Sequence, residues 1–171
     1  SVDLAYANVR QLPVSHITQY CVDEVANYVV AAILSHNRPI LDFNQSVKVD
    51  HKWDYELFPD MRRLSSLTVG LIGFGNIPRL VAQRLQVFGC KVMAYDPFVP
   101  AEVFANAGVT QVSLEEIFAH SDYISSHLPL NDSTKEMLNA TLFNLCENQP
   151  VFINSSRGGV VNEKDLVAAL Q

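Results

Sequence analysis

The chain has 171 residues, 49% hydrophobic and 18% charged, a composition that allows a sizeable core and argues against an intrinsically disordered chain. Its net charge is −6, and its 12 Lys and Arg form no basic block, which argues against a dedicated nucleic-acid or anionic-membrane surface. Its three cysteines are far apart, so no metal site or disulfide framework is predicted, and no signal-peptide pattern or membrane-spanning apolar run is found; a cytoplasmic protein is therefore expected.

The first 66 residues are predicted to form a leading segment that is too small to be a domain alone. Helices are predicted over residues 2–11 and 22–36, with a short strand candidate at residues 12–17, and Pro39 should end the second helix. The middle of that helix is apolar on nearly all sides, so it must be covered, and we interpret it as a subunit or domain interface. Residues 40–66 predict a helix followed by an irregular connection.

From residue 67 onward, short apolar strands alternate with helices. Such alternation, with β-branched residues in the strands, is typical of a parallel sheet covered on both faces. The sequence therefore predicts an α/β fold with a doubly wound parallel sheet. The predicted strands are residues 67–72, 91–95, a short one near Val109, 123–127 and 151–153, and the predicted helices are 77–88, 100–106, 114–120, 140–146 and 163–170.

A glycine turn, Gly73-Phe-Gly75-Asn-Ile-Pro78, lies directly between a predicted strand and a predicted helix. Gly73 permits the tight turn, and Gly75 lets a pyrophosphate approach the amides and the positive end of the helix that starts near Asn76. The third position of this fingerprint is normally Gly or Ala. Pro78 removes an amide there and can push the helix from the strand, so weaker or altered dinucleotide binding is expected. Many tight turns carry two glycines without binding a ligand, so this motif alone leaves both interpretations open.

Asp96 lies 21 residues after Gly75, at the end of the next predicted strand. A carboxylate at this place accepts hydrogen bonds from the adenosine ribose hydroxyls and repels a 2′-phosphate. The residues that follow, Pro97 to Val99, offer no Arg or Lys to such a phosphate. The two motifs together predict NAD rather than NADP as the cofactor; the alternative is that Asp96-Pro97 is only a turn after a strand.

Four stretches follow one another in an order that resembles the D-isomer-specific 2-hydroxyacid dehydrogenases, which include phosphoglycerate, glycerate, formate and D-lactate dehydrogenases. They are residues 71–77, 92–97, 127–130 and 153–163. The stretch Tyr-Cys-Val-Asp-Glu-Val-Ala at residues 20–26 is most like the phosphoglycerate dehydrogenase-like branch. The resemblance covers essentially the whole chain and implies a Rossmann-type NAD-binding domain. Residues 1–66 would lead into the core, residues 67–171, and helix 22–36 would pair two copies in a homodimer.

The resemblance also implies roles for individual residues. Arg157, in the Asn-x-x-Arg-Gly-Gly stretch, matches the family's catalytic arginine, and a guanidinium fixed there could grip a substrate carboxylate and polarise the neighbouring carbonyl. A routine ion pair on a surface loop is the alternative for Arg157. His127 is assigned to cofactor contact, with a purely structural role as the alternative. The expected cofactor-binding residues are Gly73, Gly75, Asn76, Ile77, Asp96, Pro97, His127, Leu128, Pro129, Asn154, Ser155 and Ser156.

Other parts of the family's enzyme are not recognised in this sequence. The acid–base His and its carboxylate partner, most of the substrate domain and the last strands of the sheet lie outside the matching stretch, and none of the five histidines replaces that His. The sequence therefore predicts a truncated Rossmann domain, the NAD-binding part of an enzyme that transfers a hydride between NAD and a 2-hydroxy or 2-oxo acid, inactive as an isolated chain. The alternative is a non-enzymatic, NAD(H)-sensing protein-binding module of the same fold, like the related corepressors.

Overall fold

Five parallel strands form one sheet at the centre of the computed structural model, which describes residues 2–15, 17 and 19–171. The chain runs outward from the first strand to the third and then returns to the opposite side of the first, giving the order β3-β2-β1-β4-β5. The reversal makes the carboxyl ends of β1 and β4 the topological switch point, where open α/β sheets bind ligands. The strands are β1 (Thr68–Ile72), β2 (Lys91–Tyr95), β3 (Thr110–Gln111), β4 (Tyr123–Ser126) and β5 (Val151–Asn154).

Helices precede the sheet and connect its strands, so both of its faces are covered. One apolar cluster joins buried residues such as Val29 and Val81 to β1, and a second cluster on the other face includes Ile117 and Phe118. The predicted doubly wound parallel sheet is thus confirmed. The helices are α1 (Leu4–Val9), α2 (Val22–Asn37), α3 (Ile40–Lys48), α4 (Asn76–Val87), α5 (Ala101–Asn106), α6 (Leu114–His120), α7 (Ala140–Phe143) and α8 (Glu163–Ala169).

The rest of the described chain covers only one face of the long helix α2. Ala26, Val29 and Ile33 are fully buried, and α2 packs against α4, to which Asp23 is also tied by an ion pair with Arg84. Tyr28 lies on another face and is 69% exposed. The remaining apolar surface of α2 therefore faces outward. None of the helices in the described part of the chain is long and apolar enough to cross a membrane.

Two of the predicted elements differ from the structure. Residues 12–15 and 17 form no strand; Leu12 and Ile17 are exposed and pair with no neighbouring strand, while His16 of this prediction lies outside the described residues. The helix expected over residues 140–146 ends at Phe143. The amide of Asn144 still bonds four residues back, to Ala140, but those of Leu145 and Cys146 bond to carbonyls only three residues back, as in a 3₁₀ turn. The other predicted elements agree with the observed ones to within two residues at either end.

Candidate cofactor site

The glycine turn leaves β1 at the switch point and leads directly into α4. Gly73 has a φ of +90°, and its amide donates to the carbonyl of Tyr95 at the end of β2, with an N···O distance of 2.8 Å. A Cβ on Gly73 would lie 3.4 Å from the carbonyl oxygen of His127. This distance is an ordinary contact, so it is the left-handed backbone that favours glycine at this position.

Gly75 is required by neither backbone strain nor packing. Its φ is −76°, and a Cβ there would meet no atom within 4 Å. Gly75 precedes the first residue of α4 and offers no side chain to cap it, so the amides of the first turn face an open space. This arrangement suits an anion that needs both room and hydrogen-bond donors.

Pro78 is buried as the third residue of α4 and does not fill the space beside Gly75. The first turn of the helix still forms, since the amide of Arg79 bonds to the carbonyl of Gly75 at 3.3 Å. An amide at position 78 would have had no partner inside the helix, so proline costs the helix no hydrogen bond. It does remove one donor from the open end; whether that weakens binding stays a prediction.

Asp96 follows β2 and faces the glycine turn. Its Oδ2 accepts from the amide of Phe74 at 2.8 Å, and its Oδ1 accepts from the amide of Phe98 at 2.9 Å. These bonds fix the carboxylate beside the turn. Each carboxylate oxygen can accept a further hydrogen bond, so the partly exposed group keeps capacity for ligand hydroxyls.

A cavity of about 730 Å³ lies beside the turn at the carboxyl ends of the strands. The glycine turn, the loop after β4 and the loop of Arg157 carry separate sequence motifs, and all three line this cavity. Gly73, Asp96, Pro97 and Asn154 lie outside its lining. Tyr20, Val22, Pro78 and Leu130 also line the cavity, although the sequence assigned none of them to cofactor binding. The predicted site residues in the lining are Gly75, Asn76, Ile77, His127, Leu128, Pro129, Ser155, Ser156 and Arg157.

The loop that carries Arg157 is organised by Asn154 at the end of β5. The Oδ1 of Asn154 accepts from the amide of Ser156 at 3.0 Å and from its hydroxyl at 2.7 Å, while its Nδ2 donates to the carbonyl of Arg157 at 3.1 Å. The guanidinium of Arg157 is exposed, donates to the carbonyl of Ser156 at 2.9 Å and forms no ion pair with a described carboxylate. It is therefore available to an anion in the cavity.

His127 joins the end of β4 to the same loop. The hydroxyl of Ser155 donates to the carbonyl of Ser126 at 2.8 Å, so its oxygen accepts from Nδ1 of His127, 3.0 Å away. This assigns the proton of the neutral ring to Nδ1. Nε2 is buried with no hydrogen-bond partner among the described residues. Burial lowers the pKa of His127 to about 4, so the ring is neutral near pH 7 and is poorly suited to donating a proton.

The other described histidines lie away from this cavity. His36 forms a 2.8 Å hydrogen bond through Nδ1 with the hydroxyl of Tyr123 at the start of β4 and lines a second cavity, of about 480 Å³, at the amino ends of the strands. His51 follows α3, and His120 ends α6. His16 lies outside the described residues. The second cavity is at the edge of the sheet opposite the glycine turn.

The fold and the glycine turn define a Rossmann-type dinucleotide-binding domain, and comparison with known proteins agrees. The model of the "D-isomer specific 2-hydroxyacid dehydrogenase, NAD binding domain" family matches residues 30–171. D-3-phosphoglycerate dehydrogenase of Sus scrofa is 37% identical over all 171 residues, which cover 32% of that protein. A putative 2-hydroxyacid dehydrogenase, YoaD, of Bacillus subtilis is 31% identical, and the matched region covers 50% of it. A D-lactate dehydrogenase from Aquifex aeolicus, solved with NAD and lactic acid, has a TM-score of 0.85 at 34% identity over 99% of this chain and 50% of that one.

The chain belongs to the D-isomer-specific 2-hydroxyacid dehydrogenase family, and its residues 30–171 match the family's NAD-binding domain. The predicted family, the phosphoglycerate dehydrogenase-like branch and the cofactor NAD are thereby confirmed. The chain spans about a third of the length of the phosphoglycerate dehydrogenases and half that of the D-lactate dehydrogenase. The residues beside the turn fit NAD, because space at Gly75, free helix amides and the Asp96 carboxylate occur together.

Proposed function

We propose that this chain is the coenzyme domain of an oxidoreductase that transfers a hydride between NAD and a 2-hydroxy or 2-oxo acid. The proposal rests on one observation: the open start of α4 at Gly75 and the guanidinium of Arg157 line the same cavity. The helix start suits the phosphates of a dinucleotide, and the guanidinium suits a substrate carboxylate. No observation favours the alternative of a non-enzymatic protein-binding module.

On this proposal, the pyrophosphate lies against the amides that begin α4, at Gly75, Asn76 and Ile77. Gly73 provides the turn, and Asp96, with Pro97 fixing the chain after it, receives the adenosine ribose hydroxyls. His127, Leu128 and Pro129 contact the cofactor along the loop after β4, and Asn154, Ser155 and Ser156 form the wall near the nicotinamide. What supports these assignments is that most of these residues line one cavity. Of the others, Asp96 bonds to the glycine turn and Asn154 organises the loop of Arg157.

Arg157 binds the carboxylate of the acid and polarises the adjacent oxygen, so negative charge that develops on that oxygen is stabilised. NAD, when bound, supplies the nicotinamide that accepts or donates the hydride. The proton that must accompany the hydride is moved by another group, because His127 has a pKa of about 4 and the other described histidines lie outside the cavity. We therefore expect the isolated chain to bind NAD and to show negligible turnover of any 2-hydroxy acid, since general acid–base help is typically worth about 10²–10⁴-fold.

We also propose that two copies pair through the outward face of α2, in the cytoplasm. Most large apolar side chains that are exposed belong to the first 61 residues, among them Tyr28, Leu41 and Trp53, which are 69%, 79% and 85% exposed. An apolar surface of this kind on a folded chain typically marks a protein interface.

Calorimetric titration of the chain with NAD and NADP tests the proposed cofactor site. We expect NAD to bind at least tenfold more tightly than NADP, because Asp96 faces the place of the 2′-phosphate and no cation follows it at residues 97–99. Equal affinity for the two dinucleotides would contradict the role given to Asp96. Absence of NAD binding would contradict the proposed function itself.

A further inference from the structure

Arg79 folds back toward the start of α4 instead of extending along the helix into solvent. Its Nε donates to the carbonyl of Gly75 at 3.0 Å, and its Nη2 donates to Oδ1 of Asn76 at 2.8 Å. The guanidinium is therefore held beside the glycine turn by two hydrogen bonds. Asn76 uses only its oxygen in this contact, and its Nδ2 donates to no residue that the structure describes.

This placement is electrostatically unfavourable in the chain as it stands. The start of a helix carries a partial positive charge, and a cation is normally favoured at the opposite end. No carboxylate offsets Arg79: the two ion pairs among the described residues are those of Arg62 with Asp122 and of Arg84 with Asp23. The first turn of α4 also contains no acidic residue. The Arg79 guanidinium and the positive end of α4 thus lie together at an exposed place, with no carboxylate of the described residues paired to them.

We propose that Arg79 binds the pyrophosphate of the dinucleotide, together with the first amides of α4 and Nδ2 of Asn76. This inference rests on the proposed NAD site and adds to it a residue that the glycine motif does not contain. It also gives a physical account of how Pro78 is tolerated, because a charged donor one residue further along takes the place of the missing amide. An exposed guanidinium acts partly through screened charge, so its contribution should fall as salt rises.

The test is calorimetric titration of NAD into wild-type chain and three variants, at low and at high ionic strength. Arg79→Gln removes the charge, and Arg79→Lys keeps it without the planar fork of donors. Arg63→Gln is the matched control, because it removes the same charge from an exposed position before β1 whose side chain forms no hydrogen bond or ion pair with a described residue. Circular dichroism confirms that each variant is folded before titration.

At low salt, Arg79→Gln should weaken NAD binding about tenfold, Arg79→Lys less, and Arg63→Gln less than twofold. At high salt the difference between Arg79→Gln and the wild type should shrink. The inference is overturned if wild-type chain binds NAD and Arg79→Gln binds it equally well, or if Arg79→Gln and Arg63→Gln weaken it to the same extent. A wild-type chain that binds no NAD would instead overturn the proposed function on which the inference rests.

Discussion

His127 combines a ring proton assigned to Nδ1 with a buried Nε2 that has no hydrogen-bond partner in the described part of the chain. Protonation would place a positive charge in this buried place, which is why the pKa falls from 6.5 to about 4. In the unfolded chain the ring takes up its proton near pH 6.5. Between these two values the unfolded state binds more protons, so the free energy of unfolding should fall as the pH is lowered through this window.

The His127 contribution can be isolated with His127→Asn, which does not titrate and keeps a donor near the position of Nδ1 for Ser155. From about pH 7.5 to about pH 5, the wild type should lose about 2 kcal/mol more of its free energy of unfolding than the variant. Urea unfolding at both pH values measures the difference. Parallel loss in the two proteins would show that His127 is not held neutral by burial.

Asp96 is the residue on which the preference for NAD depends. Asp96→Asn keeps one acceptor oxygen for the amide of Phe74 or of Phe98 but removes the charge that attracts ribose hydroxyls and repels a 2′-phosphate. We expect NAD binding to weaken about tenfold and the ratio of NAD to NADP affinity to move toward one. Glu147→Gln, at an exposed position after α7, is the control for charge alone. An unchanged ratio in Asp96→Asn would remove Asp96 from the cofactor site.

At the scale of elements, the glycine turn separates a structural requirement from a functional one. Alanine at Gly73 would have to adopt a φ of +90°, so Gly73→Ala should cost about 1–2 kcal/mol of stability. Alanine at Gly75 fits a φ of −76° and open space, so Gly75→Ala should leave the melting temperature unchanged. Its Cβ would occupy the space proposed for the pyrophosphate, and NAD affinity should fall on the order of tenfold.

Thermal unfolding and NAD titration of both variants measure these two effects separately. We expect Gly73→Ala to lower the melting temperature. We expect Gly75→Ala to lower the affinity for NAD without lowering the melting temperature. If Gly75→Ala bound NAD as tightly as the wild type, the open space at the start of α4 would not be where the phosphates lie.

The sheet and its helices could be predicted from the sequence because strand-to-helix alternation and the glycine turn are local signals. The strand expected at residues 12–17 does not form at residues 12–15 and 17, because an apolar run becomes a strand only where a neighbour offers hydrogen bonds, and no described strand pairs with them. The predicted end of α7 was wrong because the chain tightens after Phe143 without a Pro or Gly that would indicate the end of the helix.

The sequence motifs could indicate which segments meet at the cavity, as for Gly75 and Arg157, which both line it, whereas the roles of these residues stay predictions. The site was not predictable where contacts between distant segments decide it. Tyr20 comes next to the cavity only because residues 19–22 pack beside the turn, and nothing in the spacing of the motifs indicates this. Arg79 carried a weak signal, a cation four residues after Gly75 on the predicted helix, which becomes informative only once its two hydrogen bonds are seen.

At the scale of the whole molecule, the exposed apolar side chains of the leading segment predict self-association. Tyr28→Glu places a charge on the outward face of α2 without touching its buried face against α4. We expect wild-type chain to be dimeric and this variant to shift toward monomer, as measured by light scattering over a concentration series. Val167→Glu, at another exposed apolar position on α8, should leave the assembly unchanged. A wild-type chain that stays monomeric at all concentrations would contradict the proposed pairing.

The most direct test of the account is to map NAD onto the chain by amide chemical shifts in solution. Two cavities lie at opposite edges of the same sheet, and we expect NAD to bind in the one beside the glycine turn. On titration, the largest shifts should occur at the amides of Gly75, Asn76 and Ile77, with further shifts at Asp96 and in the loop of Arg157. Shifts centred instead on His36, Arg62 and Tyr123, at the amino ends of the strands, would contradict it.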